Sequence, residues 1–398
     1  MRLLPWLFLS ALSHAADTYD IHYHARFLPD QGFAEASMTV TQASGELEWL
    51  DFSAPVGRNF DFQGDGTIER HGERVRWTVP SAGGRLDYRV RVDRQRGERY
   101  DARMTESWAI MRLDHLFPSA RVSTREREVS RPSLSLEGPK DWRFETRYGS
   151  VNERIELPPA NRRFVRPTGW LAAGELSIRR DRIAGRRVII TGPLEERLRS
   201  QDFMALLRWN LPELVKLLPH FPERLLIVNA GDPMWRGGLS GPGSLYLHAE
   251  RPLISGDGSS TPLHELVHVG TASEAEPGND WIVEGLAEFY SIEILRRSRT
   301  ISESRHRRTL QSLAARADRS DGKLKSPSTG AHTSRAVVVF HDLHHELLRA
   351  KVKGGLDAVA TPLLDGPPLS EQRLLELTEQ ALGRPSKVLT EALEKYRP

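Results

Sequence analysis

The 398-residue chain contains no cysteine. Disulfide bonds, a lipid-modified cysteine and thiolate metal sites are therefore excluded within it. It also lacks an apolar run of the roughly 20 residues that a bilayer-spanning helix needs. The longest candidate, Leu3 to Leu12, is about half that length. Excess charge is equally scarce. There are 56 Lys and Arg against 53 Asp and Glu, for a net +3 that falls to +2 once Arg2 is removed. Basic residues are dispersed among acidic ones, so no nucleic-acid-binding face is expected. Tyrosine is absent between Tyr290 and Tyr396, a gap that bears on the candidate site.

The N-terminus places one arginine before the apolar run, followed by Ser13-His14-Ala15. That order reads as a secretory signal peptide over residues 1–15, cleaved after Ala15. An uncleaved anchor is the alternative. Cleavage leaves an exported protein, periplasmic or secreted in a bacterium, with no integral membrane segment. Residues 16–175 then read as a β-rich domain. Val75, Trp77 and Val79 alternate with Arg74, Arg76 and Thr78. Leu86, Tyr88, Val90 and Val92 alternate with Arg85, Asp87, Arg89 and Arg91. A period of two gives strands with one buried and one wet face, as in an antiparallel β-sandwich.

Residues 176–398 have a different texture and form the expected second domain. Short apolar runs at Val188–Ile190 and Leu225–Val228 read as buried strands. Helical sequence lies between them, from Leu194 to Leu218, with an interruption at Pro212. From Thr261 onward the signals are helical, and Asp318 to Ser334 reads as a loop. The class is α+β: a β-sandwich-like domain, then a catalytic domain with a small sheet and an α-helical lobe.

The chemistry is concentrated in His264-Glu265-Leu266-Val267-His268. On a helix, residues i and i+4 share a face, so His264 and His268 aim two imidazoles at one point, with Glu265 beside it. Thr261 reads as the N-cap, Pro262 as the first helical residue and Gly270 as the stop. A second helix is expected over Trp281 to Tyr290, capped by Asn279 and Asp280, with Ile282, Leu286, Phe289 and Ile292 as its apolar stripe. It carries Glu284, assigned as the third metal ligand. Glu288, one turn on, would accept the far N–H of a ligating histidine; an exposed helix carboxylate is its alternative reading. Two imidazoles and a carboxylate with one open position make a hydrolytic zinc site holding one Zn2+ ion.

This pair of motifs resembles the gluzincin metallopeptidases, in particular glycyl aminopeptidase and the aminopeptidase N group. Those families follow HExxH with a tryptophan, two residues and a ligand Glu-Gly, as Trp281, Glu284 and Gly285 stand here. A third match is Gly237-Gly238-Leu239-Ser240-Gly241. The resemblance implies that this segment lines a substrate cleft and leads into an edge strand, Ser244 to His248, that pairs with substrate backbone. It also implies a thermolysin-like catalytic fold and a peptide or protein substrate.

Two positions depart from the families. A glutamate that grips the substrate amine is replaced by Ser240, which removes the basis for aminopeptidase specificity. The tyrosine that stabilises the oxyanion has Thr333 in its place, with His332 adjacent, so one of these two would be the donor. The expected activity is peptide-bond hydrolysis by a zinc-activated water with Glu265 as general base. The alternative is a weak or inactive gluzincin-like protein that binds peptides or protein partners. Elsewhere, His341, His344 and His345 read as the solvated face of an amphipathic helix, with a metal chelate by His341 and His345 as the alternative. The basic stretch from Arg296 to Arg308 reads as a solvated helix face, with anionic-surface binding as its alternative.

Overall fold

In the strand Arg74–Thr78, Val75 and Trp77 are buried while Arg74 and Arg76 stay partly exposed. Leu86, Tyr88 and Val90 do the same in Gly83–Arg91. The alternation read from sequence is thus the burial pattern of a computed structural model. It describes residues 18–126, 128–158, 161–196, 199–271, 274–319, 323–324 and 327–396, and the expected signal peptide lies outside them.

The chain divides into two compact units. The first comprises the chain up to Arg91 with Asp114–Gly138 and Val151–Pro167. It contains a six-stranded sheet in the order Ile155–Glu156, Val129–Glu137, Thr18–Leu28, Phe33–Thr41, Gly83–Arg91 and Asn59–Gly64. A four-stranded sheet runs Ala120–Thr124, Leu47–Ser53, Arg74–Thr78, Thr67–His71. Phe52, Phe62 and Tyr88 meet between the two with ring centroids 5.2–6.2 Å apart, and the Tyr88 hydroxyl donates to the Leu116 carbonyl at 2.7 Å. Apolar inner faces packed in this way make the sandwich expected from sequence.

The second unit holds Val92–Leu113, Pro139–Ser150 and everything from Thr168. A single break between residues 175 and 176 is therefore not where the chain divides. Its own six-stranded sheet takes Arg94–Arg96, Arg99–Met104, Trp108–Arg112, Arg143–Thr146, Gly149–Ser150 and Trp170–Gly174, all from the stretch read as N-terminal domain. Local periodicity marks a strand but carries no information about its distant partner, which is why the exchange is invisible in the sequence.

A five-stranded sheet follows, in the order Leu176–Ile183, Arg186–Pro193, Arg224–Ala230, Ser244–His248, Gly238–Gly241. The helix Ser200–Leu217 connects the second strand to the third, and Pro212 sits inside it without interrupting it. The carbonyl that proline cannot engage belongs to Arg208, which is exposed, so water can satisfy it. Ser244–His248 is not the edge. It is fully buried and paired on both sides, and the edge is Gly238–Gly241. Gly243, with φ of 57°, turns the chain so that the glycine-rich segment folds back antiparallel, Leu239 opposite Tyr246.

Among the described residues seven helices then form the lobe: Thr261–Gly270, Asp280–Arg297, Glu303–Asp318, Ala331–Arg349, Asp357–Leu364, Glu371–Leu382 and Lys387–Tyr396. The predicted loop is shorter than expected at both ends. Asp318 closes one helix, and Ala331–Ser334 already belongs to the next, where the Ser334 hydroxyl donates to the Gly330 carbonyl at 3.0 Å. One apolar core joins sheet residues Val188, Ile190, Ile227 and Leu247 to Leu263, Leu266, Ile282 and Leu286 of the helices. Among the described residues no helix is long and apolar enough to cross a membrane. Arg296 and Arg297 leave the expected solvated face, because both pair with the buried Glu293.

Candidate metal centre

Ser260, not Thr261, caps the HExxH helix. Its backbone is extended and its hydroxyl, which donates to the Leu253 carbonyl, accepts from the Leu263 N–H. Gly270 is the last helical residue rather than a left-handed stop. Glycine is needed there for packing, since a β-carbon would stand 2.6 Å from Leu218 Cδ1 and 2.8 Å from Phe221 Cδ2. The second motif helix also begins differently from the sequence expectation. Asn279 and Asp280 spend their side chains elsewhere, accepting from the backbone N–H of Glu371 at 3.0 Å and of Ser328 at 2.6 Å. Both loops are thereby tied to the start of the helix that carries Glu284.

That helix is buried on most sides, with Trp281, Ile282, Leu286, Phe289 and Ile292 all nearly inaccessible. Gly285 lets the helix Ala331–Arg349 approach it. A β-carbon there would lie 2.5 Å from Ala336 Cβ and 2.9 Å from Phe340 Cε2. Trp281 stacks on the same Phe340, centroids 5.8 Å apart at 19°. Packing at Trp281 and at Gly285 thus anchors the turn of helix that carries Glu284.

His264, His268 and Glu284 converge, each offering one donor atom within 4.8 Å of the others. His264 Nε2 lies 3.1 Å from His268 Nε2 and 3.3 Å from Glu284 Oε2. His268 Nε2 lies 3.4 Å from Glu284 Oε1. A tetrahedral ion with bonds of about 2.0–2.1 Å sets its ligand atoms roughly 3.3–3.4 Å apart, so the donor set fits zinc in kind and in spacing. Among the described residues it is the one such group of three or more donors.

Charge agrees with geometry. Burial disfavours the His264 imidazolium, but hydrogen bonds to Glu284 and Glu288 and the nearby Glu265 outweigh it and raise its pKa. Burial likewise disfavours the Glu284 carboxylate, and the two histidines outweigh that and lower its pKa. The carboxylates around the two imidazoles thus favour positive charge at this place, which is the electrostatics of a cation seat. Glu288 Oε2 accepts from His264 Nδ1 at 3.0 Å, as expected from sequence, and so presents Nε2 to the centre.

Glu265 lies against the edge strand. A β-carbon on Gly238 would stand 2.6 Å from Glu265 Cγ and 3.0 Å from its Oε1. Gly237 to Gly241 are therefore brought to the motif helix, with Gly237 against the Trp235 indole. Two supports of this strand were not legible in the sequence. Trp170 Nε1 donates to the Leu239 carbonyl at 2.9 Å, and Arg112 Nη1 to the Ser240 carbonyl at 3.4 Å. Both sit in the stretch read as N-terminal domain, and no local motif marks them.

His332 and Thr333 occupy the first turn of the helix that packs on Gly285, four and three residues before Ala336 and so near its face. Their described hydrogen bonds go to the preceding loop. His332 Nδ1 donates to the Lys323 carbonyl at 2.9 Å, and Thr333 Oγ1 lies 3.2 Å from Ser328 Oγ.

Compared with models of known protein families, the sequence matches none, nor does it match any curated protein. Solved structures are similar. An aminopeptidase N family protein from Idiomarina loihiensis superposes with TM-score 0.67 at 13% identity, covering 94% of this chain and 73% of that one. An M1 zinc metallopeptidase from Deinococcus radiodurans gives 0.58 at 15%, covering 96% and 95%. Leukotriene A4 hydrolase from Saccharomyces cerevisiae gives 0.57 at 14%, covering 96% and 68%. The chain carries the fold of these aminopeptidase N-like zinc metallopeptidases, with His264, His268 and Glu284 gathered inside it.

Proposed function

We propose that this protein is an exported zinc metallopeptidase that hydrolyses peptide bonds with Glu265 as general base. The observation that carries the reading is the set of three donors at tetrahedral spacing with Glu265 beside it under a free sheet edge. The fold of the similar structures, an aminopeptidase N family protein and an M1 zinc metallopeptidase among them, supports it.

Zinc, when bound, supplies Lewis acidity to a carbonyl oxygen and lowers the pKa of a water. Every other task falls to the chain. The edge Gly238–Gly241, where the Ser240 carbonyl already accepts from Arg112, would offer its remaining backbone groups to an extended peptide added as a further strand. Glu265 takes a proton from the attacking water and passes it to the departing amine. Glu288 keeps His264 in the tautomer that faces the ion. His332 or Thr333 donates to the oxyanion. With Nδ1 already donating to Lys323, His332 must carry a second proton, on Nε2, to do so. Ser240 offers no charge to a substrate ammonium, so restriction to free N-termini is not part of the proposal. Export rests on the Leu3 to Leu12 run and its flanks.

Cleavage mapping of a mixed peptide library by mass spectrometry tests the reading, with the zinc-loaded protein and its Glu265→Gln variant side by side. Cuts that vanish in a variant retaining full zinc are expected. Cuts that persist in the variant, or a zinc-loaded wild type that makes none, would overturn it.

A further inference from the structure

The helix Ala331–Arg349 carries a second pair of imidazoles with the internal geometry of the metal centre. His341 and His345 are i and i+4, and their Nε2 atoms lie 3.1 Å apart. The same separation holds His264 and His268. Ring centroids are 4.5 Å apart at 75° in the outer pair and 4.8 Å apart at 69° in the inner one. Behind the rings the two pairs differ: Glu288 Oε2 is hydrogen-bonded to His264 Nδ1 at 3.0 Å, whereas Asp342 Oδ1 lies 3.5 Å from His341 Nδ1 and adds negative charge beside the ring.

We propose that His341 and His345 form a second, solvent-accessible site for a divalent transition cation such as Zn2+ or Cu2+, with water completing its coordination. The helix buries Ala336, Phe340, Leu343 and Leu347 on its other side, so the pair stands toward water on a rigid, well-anchored element. Imidazole is the donor these ions favour, and two imidazoles on successive helical turns chelate without reorganising the backbone. His344 does not join, because its Nδ1 accepts from the Leu356 N–H at 3.1 Å. With two protein donors instead of three, the site binds more weakly than the centre, and the two can be separated in one titration.

The test is a Zn2+ titration of the metal-free, full-length protein followed by calorimetry, repeated on His341→Ala, His345→Ala and the double variant His264→Ala/His268→Ala. Two classes of site are expected in the wild type. Each outer variant should lose the weaker equivalent and keep the stronger, and the double variant should do the reverse. Circular dichroism of each variant checks that it is folded. A wild type with a single class, or a weaker class that survives both outer substitutions, would overturn the proposal.

Discussion

Gly238 and Glu265 touch so closely that no side chain fits between them: a β-carbon on Gly238 would stand 2.6 Å from Glu265 Cγ. The glycine is therefore a condition for the position of Glu265, the proposed general base. Gly238→Ala should push the Glu265 carboxylate aside. A misplacement near 1 Å costs on the order of 10² in rate, so kcat/KM is expected to fall by about 10- to 100-fold. Zinc content should not change, because Glu265 is not among the converging donors. Steady-state kinetics with metal analysis of the same sample checks both halves. A variant at wild-type rate would mean that the contact does not position the base.

In the proposed mechanism Glu288, hydrogen-bonded to His264, acts through that histidine rather than on substrate. Removing a carboxylate that orients a ligating histidine typically costs 10- to 100-fold in metal affinity. Glu288→Ala should raise the zinc Kd by about that factor, read by competition with a chromophoric chelator. The fully loaded variant should retain much of its turnover, which separates it from Glu265→Gln. An unchanged Kd would leave the 3.0 Å hydrogen bond without a role at the metal.

Gly285 sets two effects of opposite sign against each other. Alanine in a helix interior gains up to about 1 kcal/mol over glycine by propensity. Here its methyl would meet Ala336 Cβ at 2.5 Å, and overpacking of that kind costs typically 1–3 kcal/mol. The clash should win. Gly285→Ala is expected to lower Tm and, by shifting the neighbouring Glu284, to weaken zinc binding. A higher Tm would show that the helix Ala331–Arg349 gives way freely.

How much of this was legible in the sequence follows from the range of each interaction. His264 with His268, and Glu284 with Glu288, were legible as pairs because helical spacing fixes which residues share a face, and the resemblance to the gluzincin motifs joined the two helices. Strand alternation around Val75 and Tyr88 was legible for the same reason. The capping assignments at Thr261 and Asn279 failed because several residues could cap, and tertiary partners took Asn279 and Asp280. The edge strand was placed one strand too far along, since pairing order in a sheet is a long-range property. Trp170 and Arg112 had no signal, because each reaches the strand Gly238–Gly241 from more than sixty residues away.

Glu293 gives the stability a pH dependence whose sign can be worked out. Its side chain is 4% exposed and meets Arg296 Nη2 at 2.6 Å, Arg297 Nε at 2.8 Å and His306 Nε2 at 3.4 Å. Burial pushes the carboxyl up, but these partners, Arg296 first, outweigh it and hold it well below the usual carboxylate range. The folded state therefore binds fewer protons at this site than the unfolded state does. The stabilisation is complete above the unfolded pKa of about 4.3 and drains away as pH falls toward the folded value. Glu293→Gln removes the charge at every pH. Breaking a buried pair costs roughly 3–5 kcal/mol, and the lower end applies here because Arg297 keeps Asp357, with its Nη2 donating to Oδ1 at 2.9 Å. Urea unfolding should show the variant about 3 kcal/mol less stable at pH 7, with the gap closing as pH drops below about 4. A gap that stays constant across that range would mean that Glu293 is not held ionised by its arginines.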